Sequence, residues 1–236
     1  MKLIAAILAG TIISTGLWMT TQSLGQARIE TVPEKKTTLP ADVHPESRSR
    51  LPLVKRENMD EQRQKAYDAV VDPKSRLKAE LIGPAGIWLN VPELSPHIRE
   101  INWFLRNKFP LDAKLTELVI LATVRESDGE TEWAAHEPAA LKAGLSKNVI
   151  DIIRYRQPIA DVDPKEAAII QMARELLGAK KLSAATYAEA LKHFGQQNLV
   201  MMVLLMANYS QTSIILHAFD QQLRPELTPL LPVVQR

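Results

Sequence analysis

The stretch KLTELVILATVRES, residues 114–127, places apolar side chains on nearly every side of the helix that its spacing predicts. A helix of this kind is buried inside a protein. Asp112 is a favourable N-cap for it, and we expect it to run to about Glu126. Glu117 lies within the apolar part, where an unpaired carboxylate is costly. An alternative is that Glu117, in the first turn, faces solvent and interacts with the helix dipole.

The next stretch, ETEWAAHEPAALKAGLS at residues 130–146, predicts a second helix. Glu132 and His136 are four residues apart and therefore share one helix face. A carboxylate beside an imidazole orients the ring and stabilises its charged form, which suits proton transfer near neutral pH. The alternative is an ordinary surface pair. Pro138 has no N–H, so we expect the helix to kink or restart there.

The remaining sequence from residue 59 onward is also helical in pattern, and no convincing strand is found. Residues 83–94 contain two glycines and two prolines and are predicted to form a structured loop. Helix boundaries are predicted from capping residues, prolines and glycines at Ser95, Ser146, Asp163, Ser183 and Gly195. The predicted fold class is all-α, with seven or eight helices in two helix-rich halves that meet near residues 154–163.

Residues 1–27 have the pattern of a secretory signal peptide. Lys2 precedes the largely apolar residues 3–19, and small side chains follow at Gly25 and Ala27. We expect cleavage after Ala27 and a periplasmic or secreted protein. Because the apolar run is short for a span of ~20 residues, an uncleaved anchor that leaves the protein facing outside is the alternative.

Three further segments follow this signal segment. Residues 28–58 are rich in proline and charge, and are predicted to be a linker that tethers the folded part or wraps loosely over it. Residues 59–225 form the predicted helical domain. Residues 226–236 form a proline-rich, extended tail.

Composition excludes several classes of function. The net charge is +2 and the basic residues are scattered, so neither a nucleic acid nor a membrane surface beyond the signal segment is expected as a partner. The 236 residues contain no cysteine, which excludes disulfides and thiolate chemistry. His136-Glu137 lacks the second histidine of a zinc motif, since Ala140 stands at that position. We therefore expect no metal and no cofactor.

The stretch LVMMVLLMA, residues 199–207, predicts a buried core or interface helix. Nine apolar residues are too few to cross a membrane. More apolar residues follow, at Tyr209, Ile214, Ile215, Leu216 and Phe219. This exceeds what one helical face buries within a subunit, so we expect the chain to self-associate. The alternative is a single chain whose two halves bury each other.

Residues 115–146, LTELVILATVRESDGETEWAAHEPAALKAGLS, resemble the carboxymuconolactone decarboxylase family, which includes the alkylhydroperoxidase proteins. A weaker resemblance extends over about residues 60–225. It implies an all-α bundle of helical hairpins that assembles as trimers or hexamers. The glutamate and histidine of the peroxidase branch fall on Glu117 and His136, whereas its two cysteine positions fall on Gly129 and Glu132. Thiol peroxidase activity by the family's mechanism is therefore excluded.

The decarboxylase branch does not depend on cysteine, and the resemblance implies a lyase or isomerase. It would use acid–base chemistry, by decarboxylation, isomerisation or lactone opening, on a small carboxylated ring or lactone. The catalytic residues would be Glu117, Glu132 and His136. The substrate-binding residues would be Trp88, Arg125 and Trp133. The alternative is a helical oligomer without catalytic activity that binds a small ligand or a partner protein.

Overall fold

The computed structural model describes residues 39–108 and 111–232, which form an all-α structure without a β-strand. The predicted signal segment, residues 28–38 of the predicted linker and the last four residues lie outside the described residues. The helices are α1 (Glu61–Val71), α2 (Pro84–Trp88), α3 (Ser95–Asn107), α4 (Ala113–Glu126), α5 (Glu130–Lys142), α6 (Lys147–Arg154), α7 (Pro164–Ala173) and α8 (Ala184–Ala218). A single π-helical turn, Arg174–Ala179, follows α7.

Side-chain caps begin four of these helices as the sequence predicts. Asp112, Ser146, Asp163 and Ser183 each accept a hydrogen bond from a backbone N–H in the first turn of α4, α6, α7 and α8. Each bond satisfies one of the donors that a helix leaves free at its start.

Three local predictions were wrong. Residues 83–94 are not loop throughout, because Pro84 begins the short helix α2. Ser95 does not cap α3 with its side chain: Leu94 is the N-cap residue, and the Ser95 hydroxyl is buried without a partner in the described structure. Pro138 does not restart the second helix, since α5 continues through it to Lys142. Packing of α5 on both sides of Pro138 outweighs the one missing backbone hydrogen bond.

Helix α4 lies at the centre of the core. Every residue of α4 from Leu115 to Arg125 is buried, and α5, α7 and α8 all pack against it. The two helix-rich halves therefore share one hydrophobic core. Trp133, Ile169 and Met202 belong to this core and have no exposed surface. This arrangement explains why α4 is apolar all round.

Helix α8 consists of two helical parts, because Gly195 interrupts it with φ 73° and ψ 165°. This backbone conformation is readily accessible only to glycine. By length and composition α8 is also, in the part of the chain described, the one helix that could cross a membrane. Half of its apolar window is buried inside the protein, as in the core helix of a globular protein.

The segment before α1 packs against the segment after α8. The Arg50 amide donates to the Phe219 carbonyl at 2.8 Å, and the Gln222 amide donates to the Arg48 carbonyl at 2.7 Å. Later in the tail, the Leu230 and Leu231 amides donate to the Glu130 carboxylate at 2.7 and 2.9 Å. Residues 39–52 of the predicted linker thus contact the folded part through ordered backbone hydrogen bonds.

Candidate functional site

A tight turn between α4 and α5 brings the two predicted site helices together. Asp128 has a φ of 53°, and the Gly129 amide donates to the Val124 carbonyl at 2.8 Å. A Cβ on Gly129 would lie 3.1 Å from the Ser213 hydroxyl and 3.3 Å from that carbonyl. Glycine is therefore suited to this position because backbone and α8 approach it closely.

This turn places Glu117 and His136 in direct contact, although they are 19 residues apart in sequence. Nδ1 of His136 lies 2.7 Å from Oε2 of Glu117. On the other side of the ring, Nε2 lies 3.4 Å from Oε2 of Glu132, one turn earlier on α5. All three residues are less than a tenth exposed. The structure thus brings together the three residues that the sequence analysis predicted to be catalytic.

Two residues that the sequence analysis missed complete the group. The hydroxyl of Tyr209, on α8, lies 3.2 Å from Nε2 of His136, and the two rings meet edge to face at 5.1 Å. Nη2 of Arg106, on α3, donates to Oε1 of Glu117 at 3.5 Å. No local spacing links either residue to His136. The only sequence signal was the hydroxyl of Tyr209, two residues after the apolar run of residues 199–207.

Mutual contacts determine the charges of this group. Burial raises the pKa of Glu117, but the hydrogen bond and charge of His136, together with Arg106, outweigh burial and lower this pKa. Burial lowers the pKa of His136, but Glu117 and Glu132 outweigh burial and raise it. Burial raises the pKa of Tyr209, which therefore stays a neutral hydroxyl. The contacts thus favour an imidazolium between two carboxylates.

The two ring nitrogens of His136 consequently have different roles. With Glu117 ionised, Nδ1 carries a proton and donates it in a hydrogen bond to that carboxylate. Nε2 then either donates, when the ring is charged, or accepts from Tyr209, when it is neutral. A ring held in this way can give or take one proton at Nε2 without turning.

His136, Glu132 and Tyr209 line one cavity of about 320 Å³. Glu117 is not among the lining residues and lies behind the imidazole. Trp88, at the end of α2, was predicted to bind substrate and lines the same cavity. Side chains of α3 form much of the remaining wall: Arg99, Asn102, Trp103, Arg106 and Asn107.

Arg125 and Trp133, which were predicted to bind substrate, do not line this cavity. Arg125 is buried, pairs with Asp128, and donates from Nε to the Arg154 carbonyl at 2.7 Å. Trp133 is fully buried, and its indole N–H donates to Glu137 at 2.6 Å. Both side chains lie next to Arg154 of α6, whose carbonyl accepts from Arg125 and whose guanidinium is 5.7 Å from the Trp133 ring centroid. Their contacts are structural.

Among residues 39–108 and 111–232, no group of three or more His, Cys, Asp or Glu side chains is arranged to hold a metal ion. The site's hydrogen-bonding groups are thus the imidazole, the two carboxylates, the phenol and the arginines around them. The expectation of a cofactor-free site stays a prediction.

The comparisons with known proteins agree with this architecture. The family model described as the carboxymuconolactone decarboxylase family matches residues 92–175, from the start of α3 to the end of α7. No match was found among curated proteins. The matched residues include Glu117, Glu132 and His136, whereas Trp88 and Tyr209 lie outside them. Residues 92–175 are thus similar to the carboxymuconolactone decarboxylase family, and the all-α fold is consistent with that similarity.

Proposed function

We propose that the protein is an acid–base enzyme, a lyase or isomerase, that acts on a small carboxylated ring or lactone. One observation carries this proposal: a buried carboxylate, Glu117, holds Nδ1 of His136 at 2.7 Å, while His136 and Tyr209 line a cavity large enough for a small molecule. The family match of residues 92–175 supports the same class of protein.

His136 is the proton-transferring group in this proposal. In a decarboxylation, the bond between the substrate carbon and its carboxylate breaks, carbon dioxide leaves, and the electron pair delocalises onto a neighbouring carbonyl oxygen. The Tyr209 hydroxyl donates a hydrogen bond to that oxygen. The imidazolium then donates its Nε2 proton to the carbon, and Glu117 keeps the ring oriented throughout. An isomerisation uses the same groups, with neutral Nε2 first removing a proton.

The test is turnover by His136→Gln and Glu117→Gln, on any substrate found by screening lactones and muconate-type acids. We expect each variant to lose roughly 10²-fold or more in turnover, the scale for removing a general acid or base. His217→Gln is the matched control, because His217 is exposed on α8. Turnover within a factor of two of wild type in both site variants would rule out the proposal.

A second candidate is a helical protein that binds a small ligand without turning it over. The buried ion pairs of His136 would then only hold α4, α5 and α8 together. In that case His136→Gln changes stability and not the chemical fate of a bound ligand. Incubating the protein with each bound acid and analysing the recovered ligand by mass spectrometry separates the two candidates.

Export is part of the same proposal. Lys2, the apolar residues 3–19 and the small residues Gly25 and Ala27 support a signal segment. The enzyme would then act on substrates outside the cytoplasm. N-terminal sequencing of the secreted or periplasmic protein checks this: a chain that starts at residue 28 agrees with cleavage, and one that starts at Met1 contradicts it.

A further inference from the structure

The charged residues that line the cavity are mostly basic. Two acidic and four basic residues line the cavity: Glu80, Glu132, Arg76, Lys78, Arg99 and Arg106. Most of them have a partner in the protein. Arg76 pairs with Glu100 at 2.6 Å, and Arg106 contacts Glu117.

Arg99 differs from these neighbours. No carboxylate of residues 39–108 and 111–232 forms an ion pair with its guanidinium, and burial, with no opposing charge, lowers the pKa of Arg99. Its side chain is only partly exposed. A half-buried cation without a counter-ion is costly for the empty protein, and an anion in the cavity removes that cost.

Two buried donors in the same wall also have no acceptor. Nε of Arg99 and the indole Nε1 of Trp88 are buried, and neither finds a hydrogen-bond partner in the described structure. Buried donors in proteins are nearly always paired, so two unpaired ones beside one cavity call for an explanation. A ligand carboxylate supplies both the charge and the acceptor oxygens that this wall does not have.

The position of Arg99 on α3 sets the geometry of such a ligand. Arg99 and Arg106 are seven residues, or two helical turns, apart on the face of α3 that lines the cavity, which separates them by about 10 Å along the helix axis. Arg106 lies at the His136 end through its contact with Glu117. A carboxylate at Arg99 is therefore remote from the atoms that face His136.

We propose that Arg99, assisted by the Trp88 indole, is the specificity-determining residue that binds a remote carboxylate of the substrate. The identity of the reacting end rests on the function proposed above. Because the carboxylate at Arg99 is not the one that reacts, a substrate that is decarboxylated here has two carboxylates, and one that is isomerised has at least one. Trp88 precedes residues 92–175, so part of this selectivity comes from outside the family segment.

The test measures binding rather than turnover. The full chain is titrated in a calorimeter with muconate and with a γ-lactone bearing a carboxymethyl group, each compared with the ester in which every carboxylate is methylated. We expect the free acids to bind about tenfold or more tightly than the esters, as a charge-assisted hydrogen bond predicts. Arg99→Gln should remove this preference, Arg99→Lys should restore part of it, and Trp88→Phe should reduce it while keeping an aromatic ring in the wall.

Arg76→Gln is the matched control, because Arg76 lines the same cavity but already pairs with Glu100. It should keep the preference for the acid. Equal binding of acid and ester by the wild type, an unchanged preference in Arg99→Gln, or no binding of either acid at millimolar concentration would overturn the proposal. The variant His136→Gln distinguishes the two proposals, because it should lose turnover but still bind the acids. Its turnover tests only the proposed reaction, and its binding of the acids tests only the proposed role of Arg99.

Discussion

At the scale of single residues, Glu117 shows how a partner changes the cost of a buried charge. An unpaired carboxylate in an apolar helix is costly, so removing its charge would by itself favour the folded state. In the structure Glu117 has both a His136 and an Arg106 partner. Removing one member of a buried pair leaves the other uncompensated, so Glu117→Gln should instead destabilise the protein, by about 3 kcal/mol at most. Chemical unfolding of the variant measures this change.

The pair of opposite pKa shifts predicts a pH dependence of stability. The stabilisation from Glu117, whose pKa is lowered on folding, is complete above its unfolded pKa and is lost as pH falls through its folded pKa. The stabilisation from His136, whose pKa is raised on folding, is complete below its unfolded pKa and is lost as pH rises through its folded pKa. Both contributions are therefore present between about pH 4.3 and pH 6.5, the unfolded values.

Urea unfolding of the wild type and of His136→Gln tests this expectation. It is measured from about pH 3 to about pH 9, a range that brackets the ordinary pKa values of the two groups. The difference in unfolding free energy between the two proteins should be largest inside that window and should fall on both sides. A difference that does not vary with pH would contradict the charged pair. His217→Gln, at an exposed position, should follow the wild type throughout.

At the scale of elements, α5 shows that packing outweighs a local preference. Pro138 lies nine residues into α5, yet the helix continues to Lys142. Glu137 accepts from the Trp133 indole and pairs with Arg154 of α6, and Ala140 is fully buried. These contacts hold α5 against its neighbours on both sides of the proline. The face that carries Glu132 and His136 is therefore kept on one continuous helix.

Pro138→Ala tests how much this helix loses at the proline. Pro138 is exposed, so alanine adds a backbone donor for the Ala134 carbonyl without entering the core. We expect the variant to be more stable by about 1–2 kcal/mol, because the helix preference of alanine over proline exceeds the entropy that proline removes from the unfolded chain. Thermal unfolding measures the change. A destabilised variant would mean that the packing of α5 requires the geometry at Pro138.

At the scale of the whole molecule, α3 and α8 leave an apolar surface uncovered. This α3–α8 groove contains large exposed side chains on both helices, at Ile101, Phe104 and Leu204, with Val200 and Ile214 nearby. We expect it to bury against further copies of the chain, as the family resemblance implies for trimers or hexamers. A stable interface buries roughly 1,200–2,000 Å² in total.

Sedimentation of the purified protein tests this assembly. The wild type should sediment well above the 26.4 kDa of one chain, and Leu204→Glu should shift the protein toward the monomer while keeping its helical content. Tyr187→Glu is the control, because Tyr187 is equally exposed on α8 but lies outside the α3–α8 groove. A wild-type monomer at micromolar concentration would contradict self-association.

The all-α fold and the core helix α4 were determined by the sequence alone, because apolar periodicity and capping residues such as Asp112 and Ser183 act locally. The contact of Glu132 with His136 was predictable for the same reason, since one helical turn joins them. The tertiary structure alone decided that Glu117 supports Nδ1, that Tyr209 reaches Nε2, and that Arg99 lines the cavity while Arg125 and Trp133 do not. Those relations join residues up to 73 positions apart. They depend on how helices pack around α4, and no local pattern encodes that packing.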